Sequence, residues 1–344
     1  MASVLTRRSC LSALGGVVLF QATGCASTDA RRAHDARIGA ARRGPIEARP
    51  ARRAAPTTAP AEPTTTTFAS EAKPPMVPTL ALPARPKSAE SGSSFLARLE
   101  GLGRGAIDDQ VIAAITEGNV PDHLRTLATV ELARDGVVRG RIFVTKDYLA
   151  IGSNDDFMRM PMTSAAAQKL ADLLNASLPT PHIVDLIYAQ AEARLPPSYI
   201  DGGPTDDSLR DFQEHQNKLE ARRKAKGLAL DVLTAGHKKD IVLSTRLAER
   251  DDRVAIYGWH KSEGEVIQSL SCKHSCRYAD YSHGVRLVAE TMFLDGEPTR
   301  VSDVLASDEN AELLSSEGPL SILMYPTELP AYVPGPEKKK KKRS

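Results

Sequence analysis

Thr129-Val130-Glu131-Leu132, Asp135-Gly136 and Arg141-Ile142-Phe143-Val144 make up the stretch whose reading decides the fold. Apolar and polar residues alternate on both sides of an Asp-Gly pair that supplies a tight turn, so the stretch predicts a β-hairpin. Helical patterns flank it. Upstream, Asp108 to Ile115 predicts a helix with acidic residues in its first turn, stopped by Gly118. Downstream, Tyr148 to Ile151 predicts another strand, Ser164 to Leu174 an Ala/Leu helix, and Pro181 to Leu195 a helix with proline in its tolerated first turn. Asp206 to Lys226 is long, strongly charged and nearly devoid of core residues, which predicts an exposed helix or a mobile arm. Beyond Gly236 the pattern turns to short β-like runs: Ile241 to Ser244, Val254 to Tyr257, Val285 to Val288 and Thr291 to Leu294. Asp295-Gly296 then offers a turn and Val301 to Leu305 a short helix. The expected class is α+β, with helices of the first half packed on a mostly antiparallel sheet in the second half.

This single domain is expected to span residues 93–335, long enough for one substantial core. Ahead of it, residues 25–92 are rich in Ala, Arg, Pro and Thr and show no helical or strand period. A stretch with so little to bury cannot offset its ordering entropy, so it reads as a tether of about 65 residues. Residues 336–344 form a basic tail, Lys338 to Arg343.

The first residues carry a targeting pattern. Thr6-Arg7-Arg8-Ser9-Cys10-Leu11 resembles a twin-arginine export motif, and Leu11 to Phe20 is an apolar run. That run is shorter than the roughly 20 residues a bilayer span needs, but it suits a signal-peptide core. Ala22-Thr23-Gly24-Cys25 resembles a lipobox, which implies cleavage of a signal peptide at residues 1–24 and a lipid anchor on Cys25. Ala26 follows the anchor where an Asp would retain the protein, so the resemblance implies sorting to the outer membrane, facing the periplasm or cell surface.

Removing residues 1–24 lowers Lys+Arg by two, from 45 to 43, against 43 Asp+Glu. A neutral total argues against a nucleic-acid binder, whose affinity comes from neutralising phosphates. Charge is uneven nonetheless. Eight arginines fall between Arg31 and Arg53 against only Asp35 and Glu47, so both ends lean toward anionic surfaces. Beyond the signal and anchor only Cys272 and Cys276 remain, a pair that an oxidising periplasm would allow to join.

Four of the eight histidines, both of those cysteines and the only Trp lie between His237 and His283. Each of their segments sits at the mouth of an expected strand, where sites are commonly built. Three chemistries fit. Zinc could take His260, Cys272, His274, Cys276 and His283, although Cys-x-His-x-Cys lacks the usual two-plus-two spacing. Alternatively, His237, Asp240 and Asp280 could supply general acid and base, a carboxylate fixing the imidazole tautomer. Asn154-Asp155-Asp156 lacks calcium-loop spacing and reads as a polar loop. Trp259 with Tyr257, Tyr278 and Tyr281 could stack a sugar or sit in the core.

The third chemistry rests on a resemblance. Ser282-His283-Gly284-Val285-Arg286-Leu287 is similar to the signature of the L,D-transpeptidase (YkuD-type) family, Ser-His-Gly-Cys followed by an apolar residue and Arg, and Gly258-Trp259-His260 to its earlier Gly-x-His. The resemblance covers about thirty residues and implies acyl transfer on peptidoglycan. Val285 stands where that family has its cysteine, which implies lost thiol chemistry or the use of Cys272 or Cys276. More broadly, Tyr148 to Gly284 resembles secreted bacterial proteins of unassigned function. The expected function is therefore a hydrolase or acyl transferase on peptidoglycan, using His237, Asp240, His260, Asp280, Ser282, His283 and Arg286, with no cofactor or else zinc. In it His283 or His237 serves as base, His260 orients the substrate or a second histidine, and Arg286 binds a carboxylate or oxyanion. The alternative is a non-catalytic lipoprotein that binds peptidoglycan or another wall glycan.

Overall fold

A computed structural model describes residues 77–202, 208–248 and 250–328. The expected signal, the expected anchor at Cys25 and most of the expected tether lie outside the described residues, as does the basic stretch 336–344. Among the described residues no helix is long and apolar enough to cross a membrane.

The chain begins with α1 (Gly92–Arg98) and α2 (Arg104–Thr116), then β1 (Leu127–Arg134) and β2 (Val137–Thr145). Next come β3 (Ala150–Gly152), β4 (Phe157–Arg159), α3 (Ser164–Leu173), β5 (Ala176–Ser177), α4 (Pro181–Gln190), β6 (Ala193–Arg194) and α5 (Leu209–Ala225). The later part holds β7 (Thr234–Ala235), β8 (Lys239–Ile241), β9 (Ile256–Ser262), β10 (Glu265–Ser271), β11 (His283–Gly284), β12 (Val288–Ala289), β13 (Thr291–Leu294), β14 (Glu297–Arg300) and α6 (Val301–Leu305). The class is α+β with mostly antiparallel sheets.

The hairpin forms around Asp135-Gly136, both at positive φ as that turn requires, and pairs Val130 with Ile142 and Glu131 with Arg141. Its β2 strand is the spine of a six-stranded sheet. β1 lies on one edge of β2, β13 and β12 share the other, β14 pairs with β13, and β5 with β12. A second, four-stranded sheet runs β10-β9-β8-β11, with β11 parallel to β8. One apolar core joins both halves, from Phe95 and Ile107 through Val144 and Leu170 to Ile256, Leu287 and Leu305. The helix N-termini follow their caps: Thr163 accepts from the backbone N–H of Ala166, and Thr180 does the same for Ile183 ahead of Pro181.

Four expectations change. The folded part begins before residue 93: Leu80 is buried, and Arg85 donates to Asn119 and to the carbonyls of Gly152, Ala89 and Glu90. α2 starts at Arg104, so Asp108 lies one turn inside and pairs with Arg104 at 3.0 Å instead of facing the helix N-terminus. α4 stops at Gln190 and the chain becomes β6 by Ala193. The charged segment is neither an arm nor a fully exposed helix. α5 buries Phe212, His215, Gln216 and Leu219, a half-polar face whose partners are polar, which low hydropathy conceals.

Candidate functional site

The segment Gly236 to Asp240 turns into β8, and the parallel register of β11 sets Lys239 beside His283 and Asp240 beside Gly284. On the other side of β8, β9 sets Lys239 opposite Gly258 and Asp240 opposite Tyr257. Gly284 is needed for close approach: a Cβ there would meet three ring atoms of Tyr148 at 2.4–2.9 Å. In β9, Gly258 (φ 109°) and Trp259 (φ 59°) both lie in the left-handed region, rare for a Trp, and the residue that follows is His260.

These strands bring the seven expected site residues into one buried region, but into separate constellations. In the first, the Tyr148 hydroxyl donates to Asp240 Oδ2 (2.8 Å), and Arg286 Nε lies 3.8 Å from Asp240 Oδ1. Arg286 also donates to the carbonyls of Thr145 (2.5 Å) and Thr234 (2.7 Å), and stacks over the Tyr148 ring at 4.5 Å. Burial pushes the Asp240 carboxyl up to about 6, against the pull of Arg286.

In the second, His237 Nε2 donates to Asp147 Oδ1 at 3.1 Å. Asp147 Oδ2 accepts both Nε (3.0 Å) and Nη2 (2.6 Å) of the fully buried Arg159, which also reaches Glu220 (2.9 Å) and Gln216 (3.1 Å) on α5. Burial opposes the charge on Asp147, yet Arg159 and His237 outweigh it and hold that carboxyl well below its usual range. Burial keeps His237 neutral, its pKa lowered despite Asp147. Next to it, Lys238 donates to the Tyr281 carbonyl (2.8 Å), and burial, reinforced by Arg159, brings its ammonium down to about 7.

In the third, His260 Nε2 lies 2.9 Å from Asp185 Oδ1, its ring stacked on Tyr188 at 4.3 Å, while the Tyr257 hydroxyl donates to the same carboxylate (2.9 Å).

The fourth is the turn Asp280 to His283. Asp280 Oδ1 accepts the Ser282 hydroxyl (2.5 Å) and backbone N–H (2.7 Å), and Oδ2 accepts the Tyr278 hydroxyl (3.0 Å). Burial opposes its ionisation, but His283, Lys239 and Ser282 bring the carboxyl down to about 2. His283 is fully buried. Its Nε2 stands 3.9 Å from Asp280 Oδ2, beyond hydrogen-bond length, and neither ring nitrogen has a partner. Burial brings its pKa down to about 4, so the imidazole is neutral near pH 7. Half-buried His274 and Tyr278, stacked on each other at 4.2 Å, lie over it at 6.3 and 5.5 Å between ring centroids.

Several expected roles change accordingly. Asp147 and not Asp240 fixes the His237 tautomer, because Asp240 is taken by Tyr148 and Arg286. Arg286 is occupied by two carbonyls and an aromatic face, leaving it no free fork for a substrate oxyanion. His260 orients no second histidine, since its partner is Asp185. Cys272 and Cys276 are free thiols, and burial pushes both up, opposite to what a thiolate nucleophile needs. Among the described residues no three His, Cys, Asp or Glu side chains converge as donors for a metal ion, so the zinc candidates His260, Cys272, His274, Cys276 and His283 are not brought together as ligands. Asn154 and Asp156 are polar loop residues that hold Asp122 and Ser93. Of the aromatics, Trp259 and Tyr281 are buried, and Tyr199, not singled out in the sequence, packs on Trp259 at 4.9 Å with 57% of its surface exposed.

The partners Asp147, Tyr148, Arg159 and Asp185 were also missed. A signal existed for two of them: Arg159 is the lone charge in the apolar run Phe157 to Met162, and Asp147, next to Lys146, is the one carboxylate between Ile142 and Ile151. Five surface cavities of about 400–580 Å3 are lined by residues other than His237, His260 and His283. No family model, no curated protein and no solved structure matches the chain.

Proposed function

We propose that this chain is an exported, lipid-anchored hydrolase or acyl transferase of cell-wall peptidoglycan, with its acid–base centre at Asp280, Ser282 and His283. One observation carries the reading: His283 is a neutral imidazole held at full burial with both nitrogens unpaired, beside an ionised carboxylate. An unpaired buried polar group costs about 1–3 kcal/mol, a cost expected at a site built for something else to bind. The reading gives His283 the proton of the attacking water or of the Ser282 hydroxyl and then returns it to the leaving amine. Asp280 steadies the resulting imidazolium. The loop Cys272 to Tyr278, with its His274–Tyr278 stack, must swing aside for substrate to enter. The twin-arginine signal, Cys25 and the tether support a location at the wall.

A second reading, a non-catalytic wall- or glycan-binding lipoprotein, is favoured by the burial of all three histidines and by the exposed Tyr199 face. Incubating the full chain with purified sacculi separates the two. New muropeptides, absent with His283→Ala, support the enzyme, whereas unchanged sacculi that retain the protein support binding alone. A chelator-treated sample identifies any metal requirement.

A further inference from the structure

The largest of the five cavities, about 580 Å3, is lined by β10 from Gln268 to Ser271, by Cys272 and Lys273, and by Arg246 and Arg250. Its volume falls within the roughly 300–1,000 Å3 of small-ligand sites. Three cations line it: Arg246, Arg250 and Lys273. Arg246 is anchored, donating to the Leu270 carbonyl at 3.2 Å with Glu317 3.9 Å away. Arg250 and Lys273 are exposed, and no carboxylate among the described residues pairs with either. Both arginines oppose the upward push of burial on the Cys272 thiol at this end of the cavity, while Glu317 adds to that push.

Beside it runs a strand edge with no neighbouring strand, on which Arg246 holds the Leu270 carbonyl and Gln268 the Ser269 carbonyl. β10 is the last strand of its sheet, bonded to β9 on one side only, and Gln268, Ser269 and Ser271 of that edge line the cavity. An open edge accepts an extended chain through main-chain hydrogen bonds, and converging cations accept its negative end. The protein's own ends do not suit this place, since the tether carries eight arginines between Arg31 and Arg53 and the tail ends in Lys338 to Arg343.

We propose that this cavity binds a short extended peptide with a free terminal carboxylate, laid along β10 with the carboxylate between Arg250 and Lys273. The assignment does not depend on the catalytic reading of His283. Its test is calorimetric titration of the full chain with N-acetyl-trialanine as the free acid and as the amide. The acid binds about tenfold more tightly than the amide, which corresponds to about 1.4 kcal/mol for the lost charge contact. Arg250→Gln and Lys273→Gln each remove most of that preference, while His283→Ala keeps it. Hydrogen exchange of the amides from Ile267 to Ser271 slows on binding the acid. Equal affinity for acid and amide, no binding of either, or inorganic phosphate bound as tightly with the same dependence on Arg250 would each overturn the proposal.

Discussion

Replacing Arg286 by Met tests whether the two sheets are joined by ionic contacts. The guanidinium is fully buried and meets three acceptors: the Thr145 carbonyl at the end of β2, the Thr234 carbonyl in β7 and Asp240 in β8. Methionine keeps the apolar stem but loses the guanidinium stacked on Tyr148, so the lost terms are electrostatic and include that cation–π contact. Two buried carbonyls lose charge-assisted bonds, at about 1–3 kcal/mol each. The ion pair, 3.8 Å long, has a gross attraction of about 4 kcal/mol at an effective dielectric of 20, most of which offsets desolvation. Asp240, whose carboxyl already titrates near 6, responds by taking up a proton, which limits the damage. The expected net loss is about 3–5 kcal/mol, the range for breaking a buried pair. Urea unfolding at pH 7 reads it as a lower midpoint with unchanged slope. In Asp240→Asn the stranded charge is gone, so adding Arg286→Met to it costs at least about 1 kcal/mol less than in the native background. A loss below about 1 kcal/mol, or strict additivity in that cycle, would refute the account.

Gly284→Ala forces a methyl into the Tyr148 ring, which is pinned by Asp240 and Arg286, and lowers stability by about 1–3 kcal/mol; an unchanged melting temperature would show that the ring gives way. The pH profile follows from opposed shifts. His283 titrates near 4 when folded against 6.5 when free, so between these values the unfolded chain binds more protons and stability falls as pH drops. His237 and His215, both lowered, act in the same sense. Asp240, raised to about 6, acts oppositely between 3.8 and 6. His283→Asn therefore removes up to about 3 kcal/mol of acid-side loss, and Asp240→Asn steepens it. Urea midpoints at pH 7, 6, 5 and 4.5 check both, and parallel profiles for the three proteins would count against these shifts.

The hairpin at Asp135-Gly136, the capped starts of α3 and α4, and the β13–α6 region were legible because each is specified by local turn, cap or alternation chemistry. α5 was misjudged since its buried face includes His215 and Gln216, side chains that earn no weight in a hydropathy pattern. β10 was missed because Glu265 to Ser271 alternates poorly. The His and Asp types between His237 and His283 stood out, and the parallel pairing of β8 with β11 does bring their segments together. Their partners did not stand out. Asp147, Arg159 and Asp185 lie 52 to 136 positions from the cluster's histidines in sequence, and nothing local encodes which carboxylate meets which imidazole.

Among the seven residues expected to be catalytic, subtracting what the fold consumes leaves one side chain over. Arg286 and Arg159, the two largest fully buried side chains, tie the segment Thr145 to Tyr148 to β7, β8 and α5. Asp147, Asp240, His237 and His260 each have a partner in that task or beside it. His283 has none at either nitrogen. A residue kept for stability would not leave two buried polar atoms unpaired where an apolar side chain of similar size avoids the penalty. His283→Leu is therefore expected to leave stability at pH 7 unchanged or raise it by about 1 kcal/mol, while abolishing release of muropeptides from sacculi. Loss of stability above about 2 kcal/mol would assign the imidazole a structural task instead. Full muropeptide release by a stable His283→Leu protein would move the chemistry away from this turn.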